Sequence, residues 1–145
     1  SVPLDEMIID SKTNLFRIIH YPPLDGNEKD GAIRGAAHED INLITVLVAG
    51  TQPGLQVKDI NESWHDVSCD PGCLAINTGD MLQEASAGYF PSTTHRIINP
   101  RGNIKNVSRY SMPLFLHPRD SIKLSKKYTA REYLDERLTE IGLKD

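Results

Sequence analysis

The chain has 145 residues, of which 39% are hydrophobic and 25% charged, and its formal net charge at pH 7 is −4. This length fits a single domain, residues 1–145, that buries roughly 70% of its unfolded surface. The acidic balance and the lack of a cluster of lysines and arginines argue against a nucleic-acid partner. The sequence has no run of about 20 apolar residues and therefore predicts no membrane-spanning helix.

The two cysteines indicate a reducing compartment. Cys69 and Cys73, in "SCDPGCLAIN", form neither a disulfide framework nor a complete zinc site. A basic segment followed by an apolar one, the mark of a secretory leader, is not recognisable in the sequence. We therefore expect a cytoplasmic protein.

The middle of the chain has the segment pattern of an all-β protein. "LFRII" ends at paired prolines, and "ITVLVA", "PGLQVKDI", "CLAIN", "DMLQ", "THRII" and "VSRYSMPLFL" follow in that order. Glycine, proline, asparagine and aspartate separate these runs, with a tight turn expected at Thr78-Gly79 between "CLAIN" and "DMLQ". Short strands divided by such turns predict a sandwich or a barrel.

Helix is expected only near the end of the chain, at about residues 129–141. In "YTAREYLDERLTEIG", Thr129 and Glu132 have the spacing of a capping box. Apolar residues follow at helical spacing. We therefore expect this helix to pack on the outside of the β core.

The stretch "GAAHEDINLITVLVAG" places His38 two residues before Asp40, at the start of an apolar run. On a strand, residues two apart point to the same face, so an imidazole nitrogen and a carboxylate oxygen would project together. Such a pair supplies two ligands for a metal ion. The pattern also occurs by chance, with both side chains simply solvated. A metal site therefore needs a third ligand from elsewhere in the chain.

Three other histidines are candidates for that third ligand. His65 lies in the loop "ESWHDV", His117 ends a strand before a proline, and His95 enters the β-prone run "THRII". A strand holds a ligand more rigidly than a loop, which favours His95. Two histidines and one carboxylate on one face of a metal leave positions open, an arrangement that suits non-haem iron(II).

A second pair, Arg109 and Ser111, alternates in "SRYSMP" and would face one side of its strand. A buried arginine is costly unless it meets an anion, and a guanidinium beside a hydroxyl is a good receptor for a ligand carboxylate. The alternative is an arginine at the rim of a barrel, paired with one of the chain's own acidic side chains.

Together these motifs resemble the isopenicillin N synthase-like family of 2-oxoglutarate-dependent iron(II) dioxygenases. The matching segments are "LFRIIHYPPL", "GAAHED", "LITVLVAGTQPGLQVKDINESWHDVSCDPGCLAINTGDML", "STTHRIINP" and "RYSMPLFLHP". They occur in the family's order from Leu15 to Pro118, and "YTAREYLDERL" is similar to the trailing helix of bacterial members. All three family motifs, H-x-D, a distal H-R and R-x-S, are present.

The resemblance implies a role for each motif residue. The implied catalytic centre is an iron(II) ion bound by His38, Asp40 and His95. Arg109 and Ser111 would bind the distal carboxylate of the co-substrate 2-oxoglutarate. Tyr21, before the paired prolines, would help to hold that co-substrate, although many plant members have asparagine where this chain has Ile19.

The resemblance also implies a fold and a reaction. The fold is a double-stranded β-helix, or jelly roll. The reaction couples oxidative decarboxylation of 2-oxoglutarate, with molecular oxygen, to oxidation of a small-molecule substrate, hydroxylation being the default outcome. Family members usually carry a sizeable region before the tyrosine-proline motif. Tyr21 lies near the start of this sequence, so we expect a catalytic core, residues 15–118 with the helix after it, without that region.

Three alternatives stay open at this point. One is an oxidase of the same superfamily that does not use 2-oxoglutarate, which succinate production would separate. Another is a metal- or ligand-binding β-barrel without catalysis, which oxygen uptake would separate. The third is a zinc hydrolase with the same three ligands, but it needs a general base beside the metal, and no residue stands out for that role.

Overall fold

The computed structural model describes residues 2–101 and 105–144. Within these residues the helices are α1 (Leu4–Ile8), α2 (Asp80–Ala85) and α3 (Ala130–Glu140). The strands are β1 (Leu15–Phe16), β2 (Ile19–Tyr21), β3 (Gly35–His38), β4 (Ile44–Val48), β5 (Leu55–Lys58), β6 (Trp64–Asp66), β7 (Leu74–Thr78), β8 (His95–Ile97) and β9 (Arg109–Leu116). The prediction of a mainly β chain is therefore confirmed.

The strands form two antiparallel sheets. The large sheet has the order β1-β9-β4-β7, and β2 pairs with the part of β9 that β1 leaves free. The small sheet has the order β3-β8-β5-β6. Strands distant in sequence, such as β4 and β9, are therefore neighbours, as they are in a jelly roll. Residues from both sheets line a cavity of about 360 Å³.

Strand β4 shows how the sequence builds the cavity wall. It pairs with β7 on one side and with β9 on the other along its whole length. Thr45 and Leu47 are buried and line the cavity, whereas Val48 is exposed on the opposite face. Because strand side chains alternate between faces, every second residue of β4 faces the interior.

The opposite, outer face of the large sheet is apolar and exposed. The strand register places Leu74 beside Val48 and Ile76 beside Val46 on this face, and Leu74 and Ile76 are 60% and 66% exposed. Phe16 and Tyr110 are exposed on the same face. Neighbouring exposed apolar side chains on one sheet face are uncommon on the surface of a monomer.

The segment "DMLQ" forms helix α2, and its predicted strand is wrong. Met81 and Leu82, adjacent in sequence, suit a strand or a helix equally well. Methionine, leucine and glutamine are good helix formers, and Asp80 in the first turn complements the helix dipole. Met81 is 1% exposed and packs against Leu43, so tertiary packing selects the helix. The expectation of helix only near the chain end is also wrong, since α1 and α2 precede α3.

Helix α3 confirms the predicted capping box. The Thr129 side chain accepts a hydrogen bond from the Glu132 backbone, and the Glu132 carboxylate accepts one from the Thr129 backbone at 2.8 Å. Tyr133 and Leu134 pack against the core cluster formed by Met7, Leu43, Met81, Ile122, Leu124 and Ala130. The helices of the described residues include none with the length and apolar character needed to cross a membrane.

Candidate functional site

The three residues that the sequence assigns to a metal site lie together in the cavity wall. His38, which ends β3, pairs directly with His95, which begins β8, and their ring centroids are 4.4 Å apart. Asp40 Oδ1 lies 3.9 Å from His38 Nε2 and 3.8 Å from His95 Nε2. One ligand atom from each residue lies within 4.8 Å of the other two. A single ion can therefore reach all three side chains.

Both histidines are oriented by backbone carbonyls. His38 Nδ1 lies 2.8 Å from the carbonyl oxygen of Ala36, and His95 Nδ1 lies 2.9 Å from that of Thr93. A carbonyl only accepts hydrogen bonds, so each Nδ1 carries the proton. With the proton on Nδ1, the other ring nitrogen, Nε2, faces Asp40 and is the atom able to bind a metal. This outer support is the usual arrangement for metal-binding histidines.

Asp40 lies beyond the end of β3, so strand alternation does not place its carboxylate. Its carbonyl accepts a hydrogen bond from the Asp80 backbone at 2.8 Å, and the Gly79 backbone donates to Leu43 at 2.9 Å. A Cβ at Gly79 would lie 2.2 Å from the Asn42 carbonyl oxygen and 2.7 Å from that of Asp40. Only glycine permits this approach, so "NTGD" holds the Asp40 backbone against the start of α2.

Two further side chains hold the Asp40 carboxylate. The Thr45 hydroxyl donates to Asp40 Oδ2 at 2.6 Å, and Asn77 Nδ2 donates to the same oxygen at 2.9 Å. Sequence reasoning did not identify either residue. The available signal was a polar residue at a cavity-facing position of a mainly apolar strand, in "ITVLV" and in "LAINT".

The donor set fits iron(II). Asp40 is buried, and among the described residues the basic groups within 4 Å of its carboxylate are the two histidine rings. A buried carboxylate is costly without a positive partner, and a divalent cation between these groups would supply one. Two imidazole nitrogens and one carboxylate oxygen suit iron(II), and three protein ligands leave positions open for other molecules.

Arg109, the first residue of β9, is a buried charge without a matching anion. It is 1% exposed, and no carboxylate of the described residues lies within ion-pair distance of it. Its Nε donates to the Gln52 carbonyl at 3.0 Å, while Nη1 is buried with no partner in residues 2–101 and 105–144. Burial lowers the pKa of this guanidinium. Because an unpaired buried charge is costly, the arrangement favours a bound anion.

Ser111 and Tyr21 lie beside this arginine. Ser111 is buried on the same face of β9 as Arg109, with the exposed Tyr110 between them, as the alternation predicts. Tyr21 pairs with Arg109 across β2 and β9, and the Arg109 Cζ lies 5.4 Å from the Tyr21 ring centroid. Burial raises the pKa of the Tyr21 hydroxyl. That hydroxyl therefore stays protonated and can donate a hydrogen bond.

The candidate metal-site residues and Arg109 line two adjoining cavities. Ser111, Tyr21 and the three metal-site residues line the cavity of about 360 Å³. Arg109 lines an adjoining cavity of about 170 Å³. The walls shared by the two cavities are formed by Leu47, Leu55, Val67 and Ala75. Five of the six predicted site residues thus line the first cavity, and Arg109 lines the second, next to Tyr21 and on the same strand as Ser111.

The other histidines lie outside this group. His65 Nε2 lies 2.7 Å from Asp59 Oδ2, a contact that holds the pKa of Asp59 below its usual range. His20 stacks on Tyr110 at a centroid distance of 4.7 Å, on the outer face of the large sheet. His117 is half-buried and is not a member of the ligand group. Of the three candidates for the third ligand, His95 alone therefore joins His38 and Asp40.

His117 predicts a pH dependence of stability. Burial lowers the pKa of its imidazole more than the Phe115 carbonyl and the Asp40 carboxylate raise it. Below a pH of about 6.5 the unfolded chain therefore binds a proton that the folded chain does not bind, and stability falls as the pH falls. In urea unfolding of the metal-free chain, we expect the midpoint to drop less between pH 7.5 and pH 5.5 in His117→Gln than in the wild type. Equal drops in both proteins would contradict this.

Comparisons with known proteins agree with this fold and indicate a family. The family model of the 2OG-Fe(II) oxygenase superfamily matches residues 12–118. A solved Shewanella oneidensis chain, described as a candidate oxygenase, is 62% identical; the match covers 99% of this chain and 52% of that one, with a TM-score of 0.87. A full-length Neurospora crassa protein solved with alpha-KG is 25% identical over 93% of this chain and 47% of its own, with a TM-score of 0.81. A 2-oxoglutarate-dependent dioxygenase of Gibberella zeae is 37% identical over 77% of this chain and 32% of its own length.

The solved relatives confirm the predicted jelly roll, and the family match over residues 12–118 includes every predicted site residue. The chain spans about half the length of the two solved proteins and about a third of the fungal dioxygenase. The family model matches most of the chain, from residue 12 to residue 118, and this range includes the H-x-D, H-R and R-x-S motifs. The chain therefore belongs to the 2OG-Fe(II) oxygenase superfamily.

Proposed function

We propose that this chain is the catalytic core of an iron(II)- and 2-oxoglutarate-dependent dioxygenase that oxidises a small molecule. The observation that carries the proposal is a pair of adjoining cavities that hold two complementary groups. A buried carboxylate with two oriented histidines can bind a cation. A buried arginine with an unpartnered Nη1 can bind an anion. 2-Oxoglutarate is an anion at both ends and can contact both groups.

In the proposed metal site, His38, Asp40 and His95 hold iron(II). When bound with 2-oxoglutarate, the metal supplies oxidative decarboxylation coupled to oxidation of the substrate, with hydroxylation as the default outcome. The protein's contribution is to fix the ligands and leave positions open. His38 and His95 act through Nε2 because their Nδ1 protons are engaged by backbone carbonyls.

Arg109 and Ser111 would bind the distal carboxylate of 2-oxoglutarate. A guanidinium donates two parallel hydrogen bonds to a carboxylate, and the Ser111 hydroxyl adds a third donor. Tyr21, protonated and beside Arg109, is proposed as a further contact. Because the arginine is already buried and oriented by the Gln52 carbonyl, little ordering is required when the co-substrate binds.

The rest of the interior is mainly apolar. Leu47, Leu55, Val57 and Ile97 line the cavity from the two sheets. Apolar walls exclude water from the reacting groups and strengthen electrostatic interactions inside. We propose that a small-molecule substrate binds in this cavity, beside the metal site.

An anaerobic visible spectrum tests this function directly. The metal-free chain is titrated first with iron(II) and then with 2-oxoglutarate. We expect a charge-transfer band that needs both additions, followed by succinate release once oxygen is admitted. Iron binding without a band would favour an oxidase that does not use 2-oxoglutarate, or a barrel without catalysis. Absence of iron binding would overturn the proposed function.

We also propose that residues 15–118 with helix α3 form the core of a longer enzyme, whose further region covers the outer face of the large sheet. Two observations support this: the chain matches about half of the Shewanella and Neurospora chains, and the outer face exposes contiguous apolar side chains. Covering that face would remove these side chains from water.

The exposed outer face predicts self-association of the 145-residue chain. Ile76 is 66% exposed on β7, at the edge of the large sheet. A lysine there would interrupt the patch and cost little stability, because surface substitutions usually change the unfolding free energy by less than about 0.5 kcal/mol. By analytical ultracentrifugation, we expect Ile76→Lys to shift the chain toward monomer. Lys58→Ala, on the small sheet, is the control and should sediment like the wild type.

A further inference from the structure

We propose that Thr45 and Asn77 are positioning residues that make Asp40 a ligand through one oxygen only. The inference rests on the proposed metal site. It adds that these two residues determine how many coordination positions of the metal remain open. Both residues lie on the large sheet, whereas His38 and His95 lie on the small sheet. Their hydrogen bonds therefore connect the Asp40 carboxylate to the large sheet, whereas both histidines belong to the small sheet.

The direction of the Thr45 hydrogen bond follows from its neighbours. Asn42 is buried, and its Nδ2 lies 2.9 Å from the Ile44 carbonyl oxygen, which only accepts. That contact fixes the orientation of the amide, so the same Nδ2 donates to Thr45 Oγ1 at 3.0 Å. The Thr45 hydroxyl thus receives a hydrogen bond from Asn42, and its own proton goes to Asp40 Oδ2 at 2.6 Å, the nearer acceptor, since Asn42 Oδ1 is 3.4 Å away.

Asn77 completes the contact from the next strand. The register of β4 and β7 pairs it directly with Thr45, and both face the cavity. Its Nδ2 donates to Asp40 Oδ2 at 2.9 Å. Oδ2 therefore accepts two hydrogen bonds, whereas Oδ1 is the oxygen that lies within 4 Å of both histidine Nε2 atoms.

The two hydrogen-bond donors thus give the two carboxylate oxygens of Asp40 different roles. An oxygen that accepts two hydrogen bonds is a poor second ligand, so Asp40 would bind a metal through Oδ1. With one oxygen and two nitrogens from the protein, a six-coordinate metal keeps three positions for other molecules. If Oδ2 were released, it could bind as well and occupy one of those three positions. Thr45 and Asn77 would therefore keep that position available for substrate molecules.

Manganese(II) alone is the probe for this inference, since it needs neither 2-oxoglutarate nor oxygen. The variants are Thr45→Val, which keeps the shape of the side chain and loses the hydroxyl, and Thr45→Ser, which keeps the hydroxyl. A Thr45→Val/Asn77→Leu double variant removes both donors. Electron paramagnetic resonance of free manganese gives the dissociation constant, and water-proton relaxation gives the number of metal-bound waters. Circular dichroism checks that each variant is folded.

We expect Thr45→Val to bind manganese about tenfold more weakly and the double variant about 100-fold, within the range seen when supporting residues of metal ligands are lost. Thr45→Ser should match the wild type. The double variant should also hold one water fewer than the wild type, because the second carboxylate oxygen replaces it.

Two results would overturn the positioning role. One is wild-type affinity and water number in the double variant. The other is an equal loss in Thr45→Ser and Thr45→Val, which would assign the effect to packing. If the wild-type chain itself binds no manganese and gives no band with iron(II) and 2-oxoglutarate, the proposed function fails as well. If the wild type binds and the variants bind equally, only the positioning role fails.

Discussion

We expect the Asp40→Asn variant to bind iron(II) at least about 100-fold more weakly than the wild-type chain, because a direct ligand is worth more than a supporting residue. The amide oxygen of the new asparagine can accept the hydrogen bonds from Thr45 and Asn77 that Oδ2 accepts now. The amide nitrogen then occupies the place of Oδ1, where it presents hydrogens and no lone pair. The fold should persist while the metal site is lost. Anaerobic calorimetric titration with iron(II) measures the affinity.

A matched aspartate serves as the control. Asp66 Oδ1 accepts a hydrogen bond from Gln56 Nε2 at 2.9 Å on the small sheet, and Asp66 does not belong to the ligand group. Asp66→Asn should therefore bind iron(II) with the wild-type affinity. If a folded Asp40→Asn protein binds iron(II) with undiminished affinity, the metal binds at a site other than the one proposed.

The second large effect concerns Arg109. Replacing it by methionine removes the guanidinium and keeps a side chain of similar length in a buried position. Loss of a charge-assisted contact costs about 3 kcal/mol, so 2-oxoglutarate should bind the iron-loaded protein roughly 100-fold more weakly. The affinity for iron(II) itself should not change, since Arg109 is not in the ligand group. Titration of the charge-transfer band with 2-oxoglutarate gives the first constant, and calorimetry gives the second.

Arg96 offers the control for this substitution. It lies on β8 next to His95, but its Nε donates to Gln56 at 2.8 Å and its Cζ lies 4.0 Å from the centroid of the Trp64 ring. Arg96→Met should leave the binding of 2-oxoglutarate unchanged if the protein stays folded. Equal weakening in Arg96→Met and Arg109→Met would indicate a general effect of positive charge. It would argue against a specific carboxylate contact at Arg109.

The candidate site residues could be proposed from the sequence because residue type, strand alternation and the family resemblance of their motifs all bear on them. Arg109 and Ser111 share a face for the reason that any strand residues two apart do, and both are buried. His95 was preferred over His65 and His117 because a strand holds a ligand firmly, and it lies opposite His38 in the register. Strand alternation was the wrong reason for Asp40, which lies outside β3 and is held by the backbone next to α2.

Secondary structure was predictable where a local interaction decides it. The capping box of α3 involves residues three apart, so its hydrogen bonds are implied by the sequence itself. Helix α2 was missed because its six residues give too short a pattern to distinguish helix from strand. What settles it is the contact of Met81 with Leu43, two residues far apart along the chain.

By itself, the sequence predicted the candidate metal ligands, the arginine and serine proposed to contact the co-substrate, the mainly β class and the final helix. Only the tertiary structure decided which groups support them. Thr45 and Asn77 reach Asp40 because β4 and β7 pair in one register. Arg109 fits because Gly50, where a Cβ would lie 2.7 Å from its Nη2, leaves room for the guanidinium. These contacts join residues distant in the chain, and no local spacing encodes how strands from different parts of it align.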